Sequence, residues 1–197
     1  MSYIGTNKIG KMFLGDTEIA KAYLGDELVF QNAQLQTLTV LLSSYDSTDK
    51  SYYNLTSASK AYKSPDTYSS GSDCAAVSMT RGANAYTYVY FKFDTSALPA
   101  NAKIVSVACR ARTGISTTST TYVVSKGCKM CSGTTEKTDS ITVSNNNYLR
   151  SFTTGTWTRS ELSDVRVKLY GTRGTSNTST GYSLRMFGAE LTITYTV

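Results

Sequence analysis

The stretch YTYVYFKFD at residues 86–94 decides the fold class, because its side chains alternate cleanly with a period of two. Its three tyrosines share one face, and Phe91 and Phe93 take the other, which is typical of a strand within a sheet. A Leu-Pro corner follows, and Pro99 has no backbone N–H to donate, so strand pairing stops there. The chain is therefore predicted to turn a corner and begin a new strand near residue 103.

The rest of the body repeats this pattern of short alternating strands between polar turns. It predicts strands at residues 38–42, 75–80, 103–112, 165–170 and 184–197, an irregular strand near 58–62, a strand that begins at 122, and a hairpin that joins 140–143 to 148–153. Val105 and Val107 are expected to share a face with Cys109. A loop or bulge is expected at residues 127–133.

A single helical turn is predicted at residues 158–162. Thr158 is followed three residues later by Glu161, which is the spacing of a capping box. Trp157, just before it, is expected to close the core. With about eight to ten short strands and almost no helix, the chain is predicted to be all-β, with a short N-terminal β meander or stem followed by a β-sandwich of jelly-roll-like type.

The N-terminal segment holds a tandem repeat, IGKMFLGD at residues 9–16 and IAKAYLGD at residues 19–26, with a shortened third copy at 28–30. Each full copy ends in Gly-Asp, a pair that suits a tight turn. Both faces of such strands are partly apolar, and so small a sheet cannot bury them alone. Residues 1–32 are therefore expected to be an attachment or oligomerisation segment, and residues 33–197 the sandwich domain.

The residues expected to make the contacts of this segment are its large apolar side chains: Ile9, Phe13, Leu14, Ile19, Tyr23, Leu24, Val29 and Phe30. Sister copies around a symmetry axis, or a socket on another protein, would shelter them. The alternative is an ordinary N-terminal meander that packs on its own domain.

Two stretches carry a resemblance to known families. The tandem pattern Ile-x-Lys-x-Tyr/Phe-Leu-Gly-Asp resembles the N-terminal segment of tailed-bacteriophage virion proteins, namely fibres, tail-tip proteins and head appendages. FKFDTSALPANAKIVSV at residues 91–107 resembles a pattern of jelly-roll sandwiches in bacterial surface proteins, carbohydrate-binding-like modules and phage appendages. These resemblances imply a homotrimeric appendage on the virion surface, docked to other virion proteins through the repeat and suited to host attachment.

The charge and composition of the chain narrow the remaining classes of function. The formal charge is +6, but the twenty Lys and Arg residues are scattered singly, so a basic solvated surface is expected rather than a nucleic-acid site. We expect no secretory signal and no membrane span, because the N-terminus lacks a charged and an apolar region and the apolar runs are short. Synthesis in a host cytoplasm and release by lysis, as part of a virion, fits this pattern.

The sequence predicts no enzyme, metal or cofactor. The chain has no histidine, which removes the usual general base and its nucleophile pairs. Composition leaves open a pair of facing carboxylates of glycosidase type. Cys128 and Cys131 have metal-ligand spacing, but the second close pair of a structural zinc site is missing. The aspartates of the polar loops are interpreted as turn residues, because their spacing matches no calcium loop.

A carbohydrate-binding module is the alternative function. The polar stretch at residues 43–72 carries tyrosines whose rings could stack on sugars. The candidate glycan contacts are Tyr52, Tyr53, Tyr62 and Tyr68. The competing interpretation is that these rings cover the rim of the sheet.

Overall fold

The computed structural model describes residues 3–4, 7–8, 12–14, 16–19, 21–24, 26–31, 34–116, 122–144, 147–175 and 181–197. Within them the chain is almost entirely β, as the sequence predicts, with one short α-helix and one 3-10 helix. No helix in those ranges has the length and apolar character needed to cross a bilayer.

The N-terminal β segment is built from two-stranded hairpins. They pair β1 (Tyr3–Ile4) with β2 (Asn7–Lys8), β3 (Met12–Leu14) with β4 (Thr17–Ile19), and β5 (Lys21–Leu24) with β6 (Glu27–Gln31). Asp16 and Asp26, the acidic residues that end the two full copies of the repeat, lie between the paired strands. Each full copy therefore supplies one strand and the turn of a hairpin, and each hairpin is a separate sheet.

The body begins with β7 (Gln36–Tyr45), a strand that two sheets share. The first sheet adds β8 (Asn54–Thr56), β9 (Ala75–Ser78), β11 (Lys103–Ile115), β15 (Tyr148–Ser151) and β17 (Ser183–Thr196). The second sheet adds β10 (Tyr86–Phe93), β12 (Val123–Ser132), β13 (Thr135–Glu136), β14 (Ile141–Thr142) and β16 (Val165–Arg173). The hydrogen-bonded order is β15-β11-β17-β7-β10-β16-β12-β13.

Strand β7 joins the two sheets because its halves have different partners. Residues 36–41 pair with β17, and residues 42–45 pair with β10, where the register shifts between Lys92 and Phe93. A bulge of this kind bends a strand and lets it pass from one sheet to the other. From β9 onward the longer strands then alternate between the sheets, which produces a sandwich-like fold.

The core lies between the two sheets and follows the predicted period of two. In β16, Val165, Val167 and Leu169 are buried, while the residues between them face outward. Leu191 and Ile193 of β17 are equally buried, and all of these side chains belong to one hydrophobic cluster. A single core of this kind is what two sheets packed face to face produce.

The predicted helical turn is confirmed as α1 (Arg159–Leu162). Thr158 Oγ1 accepts a hydrogen bond from the Glu161 backbone N–H at 3.2 Å, and the Glu161 carboxylate accepts one from the Thr158 backbone N–H at 2.8 Å. This reciprocal pair is the expected capping box. Trp157 is buried and joins the core cluster, as predicted.

A strap formed by residues 57–73 covers part of the first sheet. It opens with a 3-10 helix, Ala58–Ala61, where the sequence predicted an irregular strand, and it buries Ala61 in the core. Farther along, the strap reaches the backbone of β17 at Gly188. A Cβ atom at Gly188 would lie 2.5 Å from the Lys63 carbonyl oxygen, so only glycine permits this approach.

Strand β11 differs from its prediction at one point. Its register against β17 shifts between Ile104 and Ser106, so Val105 is exposed while Val107 and Cys109 are buried. Ile104 packs against the core instead. The expectation that Val105 shares a face with the other two was wrong, because one inserted residue reverses the alternation on one side of a bulge.

Two further predictions were wrong, one about how far β12 extends and one about which strands pair. Residues 127–132 continue β12 instead of forming a loop. The predicted hairpin does not form either, because β14 pairs with β12 while β15 pairs with β11. Residues 145–146 of the predicted turn lie outside the described residues. An Asn run is a local turn signal, and it does not say whether the flanking strands pair with each other.

Candidate functional site

The expected attachment residues fall into three groups in the structure. Ile9 lies outside the described residues, and for Phe13, Leu24, Val29 and Phe30 only the strand positions are described. Leu14 is 77% exposed and Tyr23 is 57% exposed, while Ile19 is half-buried. Two large apolar side chains of the repeat are therefore open to solvent in this single chain.

The expected glycan contacts have different surroundings in the structure. Tyr52 and Tyr62 are partly buried and pack against the core cluster. Burial raises the pKa of the Tyr62 hydroxyl, with a further contribution from Tyr45. Tyr53 is 70% exposed, and the Arg81 guanidinium lies 5.4 Å from the centre of its ring.

Tyr68 lies on the strap and is held from several sides. Its ring packs edge-on against Phe187 with centroids 5.4 Å apart, and the Arg112 guanidinium lies 5.5 Å from its centre. Its hydroxyl accepts a hydrogen bond from Asn147 Nδ2. Arg112 also donates to the Pro65 carbonyl oxygen of the strap. These contacts indicate that Tyr68 helps to fasten the strap to the sheet.

A different group of tyrosines converges on the outer face of the second sheet. Tyr86, Tyr88 and Tyr90 of β10 and Tyr170 of β16 surround the side chain of Lys168. We call these five residues the tyrosine face. The distances from Lys168 Nζ to the four ring centres lie between 5.5 and 5.9 Å, which is within the range of cation–π attraction.

The register between β10 and β16 builds this face. Tyr88 lies opposite Tyr170, and Tyr90 lies opposite Lys168. The Tyr86 ring lies 5.7 Å from the Tyr88 ring and 6.0 Å from the Tyr170 ring. Both strands point their alternate apolar residues inward, so these polar and aromatic side chains must share the outer surface.

Exposure differs strongly within the tyrosine face. Tyr86 is 41% exposed and Tyr90 is 4% exposed, while Tyr88 and Tyr170 lie between. The Tyr88 hydroxyl donates to Asp49 Oδ1 at 2.7 Å, a hydrogen bond that raises the pKa of Tyr88. The face therefore has a packed end at Tyr90 and an open end at Tyr86.

Glu136 of β13 supplies the carboxylate of this surface. One oxygen accepts from Lys168 Nζ at 3.0 Å and the other from Lys129 Nζ at 2.5 Å. Burial of Lys168 opposes its positive charge, but the hydrogen bonds to Glu136 and to Tyr86 outweigh this effect and raise the pKa of Lys168. The hydrogen bond from Lys129 is the largest cause that lowers the pKa of Glu136. All three groups are charged near neutral pH.

Tyr170 is positioned by a glycine on the neighbouring strand. Gly127 lies opposite Tyr170 in the pairing of β12 with β16, and the phenol crosses over it. A Cβ atom at Gly127 would lie 2.6 Å from the Tyr170 hydroxyl oxygen and 2.7 Å from its Cζ atom. That hydroxyl is also hydrogen-bonded to Ser140 Oγ at 2.7 Å. The hydroxyl end of the ring is thus held between Gly127 and Ser140.

An ion network borders the packed end of the face. The Asp46 carboxylate accepts from Arg166 NH1 at 2.7 Å and lies 3.4 Å from Lys92 Nζ. Arg166 also binds Asp164, and its guanidinium lies 5.6 Å from the Tyr90 ring centre. Asp46 follows directly after β7, so this network fixes the end of the strand that the two sheets share.

A cavity of about 410 Å³ opens beside the bulge of β11. Trp157 lines it together with Ile104 and Val105 of the bulge and Thr154 and Gly155 of the facing loop. Trp157 Nε1 has no hydrogen-bond partner among the described residues. The lining is mostly apolar and contains no ionisable side chain, so it lacks groups for acid–base chemistry.

The cysteines do not form a joint site. Cys128 and Cys131 are three residues apart on one strand, so they lie on opposite faces of the sheet. Both are buried free thiols. Burial is the main cause that raises the pKa of Cys128, and it raises the pKa of Cys131 to about 11. In the described part of the chain, no group of three His, Cys, Asp or Glu side chains could hold a metal ion.

The sequence predicted the strands that carry the tyrosine face, but it did not predict that these strands lie side by side. The alternation of residues 86–94 already placed the three tyrosines on one face of their strand, and the alternation of residues 165–170 placed its polar side chains outward. The sequence did not show that β10 pairs with β16.

Comparison of the chain with protein-family models, characterised proteins and solved structures finds no match.

Proposed function

We propose that this chain is a structural, non-enzymatic appendage protein of a bacteriophage virion, displayed on the particle surface as a fibre, tail-tip or head-fibre component. The N-terminal hairpins would attach it to other virion proteins and assemble it as a homotrimer, and the sandwich would project outward. The observation that carries the proposal is the exposure of Leu14 and Tyr23 in the ten-residue repeat.

Two-stranded hairpins with open apolar side chains need a partner surface. An isolated pair of strands is marginally stable in water, because it has no second layer to cover it. Repeated copies of such a unit bury their apolar surface by stacking against one another. A threefold arrangement of this chain would bring equivalent hairpins together around one axis, and a virion socket would cover what remains.

The test is the oligomeric state of the full chain, measured by native mass spectrometry. We expect a trimer for the wild type and a monomer for the double variant Leu14→Ser with Tyr23→Ser. The matched control is Val124→Ser, which removes an exposed apolar side chain of the body and should leave the trimer intact. A monomeric wild-type chain, or a trimer unaffected by the double variant, would refute assembly through the repeat.

Its place on a particle requires a separate measurement. Antibodies against the sandwich should decorate one defined position on the virion in electron micrographs. Particles that carry no label while the protein is abundant in the lysate would contradict the virion assignment.

A free carbohydrate-binding module is the second candidate function, and the tyrosine face of the second sheet favours it. Aromatic rings beside paired polar groups suit a ligand with apolar and hydroxylated faces. The two candidates differ in self-association. A chain that binds glycan as a monomer, with equal affinity in the Leu14→Ser and Tyr23→Ser variant, would favour the free module.

A further inference from the structure

We propose that the tyrosine face is a binding site for a neutral, hydroxyl-rich glycan chain, with Tyr86 and Tyr170 as stacking platforms and Glu136 with its two lysines as the polar contacts. This deepens the proposed role in host attachment and rests on it for its biological meaning. The binding itself is a property of the sandwich surface and can be measured without a particle.

The aromatic part of the site consists of two rings, Tyr86 and Tyr170, on neighbouring strands. The hydroxyl end of the Tyr170 phenol lies over Gly127, so this end of the ring is held against the strand, while the side chain as a whole remains partly exposed. Tyr86 is the most exposed tyrosine of the face, and its ring centre lies 6.0 Å from that of Tyr170 with an angle of 43° between the planes. Two tilted rings at this spacing can receive the C–H faces of successive sugar units in a twisted chain.

The polar part of the site presents donors and acceptors together. Glu136 remains 39% exposed while it bridges Lys129 and Lys168. A carboxylate has about four lone-pair sites, so two ammonium contacts leave acceptor capacity for a ligand. Neighbouring hydroxyls of a sugar are both donors and acceptors, and they match such an ammonium–carboxylate group.

The charge pattern favours a neutral ligand over an anionic one. Lys129 and Lys168 are both paired with Glu136, and Arg166 is paired with Asp46 and Asp164. A teichoic-acid-like polymer would have to compete with these carboxylates for the cations. A neutral glycan leaves each ion pair in place, so its binding is expected to depend little on salt.

The experiment uses the full chain and isothermal titration calorimetry with a panel of neutral hexasaccharides: cellohexaose, laminarihexaose, maltohexaose, mannohexaose and chitohexaose. We expect saturable binding of at least one of them. Tyr86→Ala should weaken that binding about tenfold or more, and Tyr86→Phe should keep it within about twofold, because the ring provides the stacking surface. Tyr148→Ala removes a tyrosine of similar exposure, 47% against 41% for Tyr86, on β15 of the first sheet and should change nothing.

A second substitution tests the role of the glycine. Gly127→Ala should displace the Tyr170 ring and weaken binding, while Tyr86→Ala, at an exposed ring, serves as the variant that keeps its fold. Circular dichroism spectra identify any variant that has lost the native sheet. Raising NaCl from about 50 to about 500 mM should leave the affinity within about twofold.

Three results would overturn the proposal: no binding of any hexasaccharide, binding that survives Tyr86→Ala with Tyr170→Ala, or affinity that falls steeply with salt and is restored only by polyglycerol phosphate. The last result would identify an anionic polymer as the ligand. A fourth result, self-association that disappears in Tyr86→Ala, would also overturn it, because the face would then be a contact between copies. None of these outcomes affects antibody labelling of virions, so failure of the glycan site and failure of the virion assignment can be told apart.

Discussion

Replacing Asp46 by asparagine should loosen the point at which β7 passes between the sheets. Asp46 is 8% exposed, and one of its oxygens accepts from the Thr48 backbone N–H at 2.8 Å and the Thr48 hydroxyl at 2.7 Å. An asparagine carbonyl oxygen can keep those bonds. It cannot replace the charged contacts to Arg166 and Lys92 on the two neighbouring strands of the second sheet.

The expected cost follows from these contacts. A hydrogen bond between charged groups contributes about 1.5–3 kcal/mol, and Arg166 keeps its second partner, Asp164, so the cost stays near the low end. We expect the free energy of unfolding to fall by about 2 kcal/mol, which lowers the Tm of a chain of this size by about 4–8 °C. Urea unfolding followed by circular dichroism at pH 7 measures the first quantity, and calorimetry the second.

The same substitution has a predictable dependence on pH. The hydrogen bonds from the Thr48 side chain and backbone, with a smaller contribution from the charge of Lys92, hold the pKa of Asp46 well below its usual range. In the unfolded chain the pKa of an aspartate is about 3.9, so the unfolded chain takes up the proton first as the pH falls below that value. The stabilisation is therefore fully present above about pH 4 and declines toward lower pH.

The stability difference between wild type and Asp46→Asn should consequently shrink when the unfolding is repeated near about pH 3. Asp139→Asn, at an exposed position, is the matched control and should stay within about 0.5 kcal/mol of wild type at both values. The reasoning is refuted if Asp46→Asn also stays within that margin at pH 7, or if its cost is the same at both pH values.

Three further predictions concern the cap, the thiols and the glycine under the tyrosine face. Thr158→Ala should cost about 1 kcal/mol in urea unfolding, because the first turn of α1 loses its side-chain acceptor, and an unchanged midpoint would contradict the capping box. Cys128 and Cys131 should resist Ellman's reagent at pH 8 in the native protein and react in guanidinium. Burial raises their pKa values, so little thiolate is present at that pH in the folded chain. Fast labelling of either cysteine in the native protein would refute their burial. Gly127→Ala should lower stability by about 1–2 kcal/mol, because its Cβ must displace both the Ser140 hydroxyl and the Tyr170 phenol. An unchanged or raised Tm would show that both side chains move freely.

The tyrosines show which feature of the surface could not be predicted from the sequence. Clustering along the chain drew attention to Tyr52, Tyr53, Tyr62 and Tyr68, and the structure gives them different contacts: with the core, with Arg81 and with Phe187. The tyrosines that do meet come from β10 and β16, about eighty residues apart in the sequence. Pairing between distant strands, which the sequence does not show, brought these side chains together.

The sequence by itself determined the features that depend on near neighbours. Alternation separated the two faces of β10, β16 and β17, and the spacing of Thr158 and Glu161 predicted the helical turn. Only the tertiary structure decided which strands pair, where β7 changes sheets, and how the bulge of β11 turns Val105 outward. The period-two pattern is local and is the same for any partner strand, whereas pairing and register are selected by the packing of the whole core.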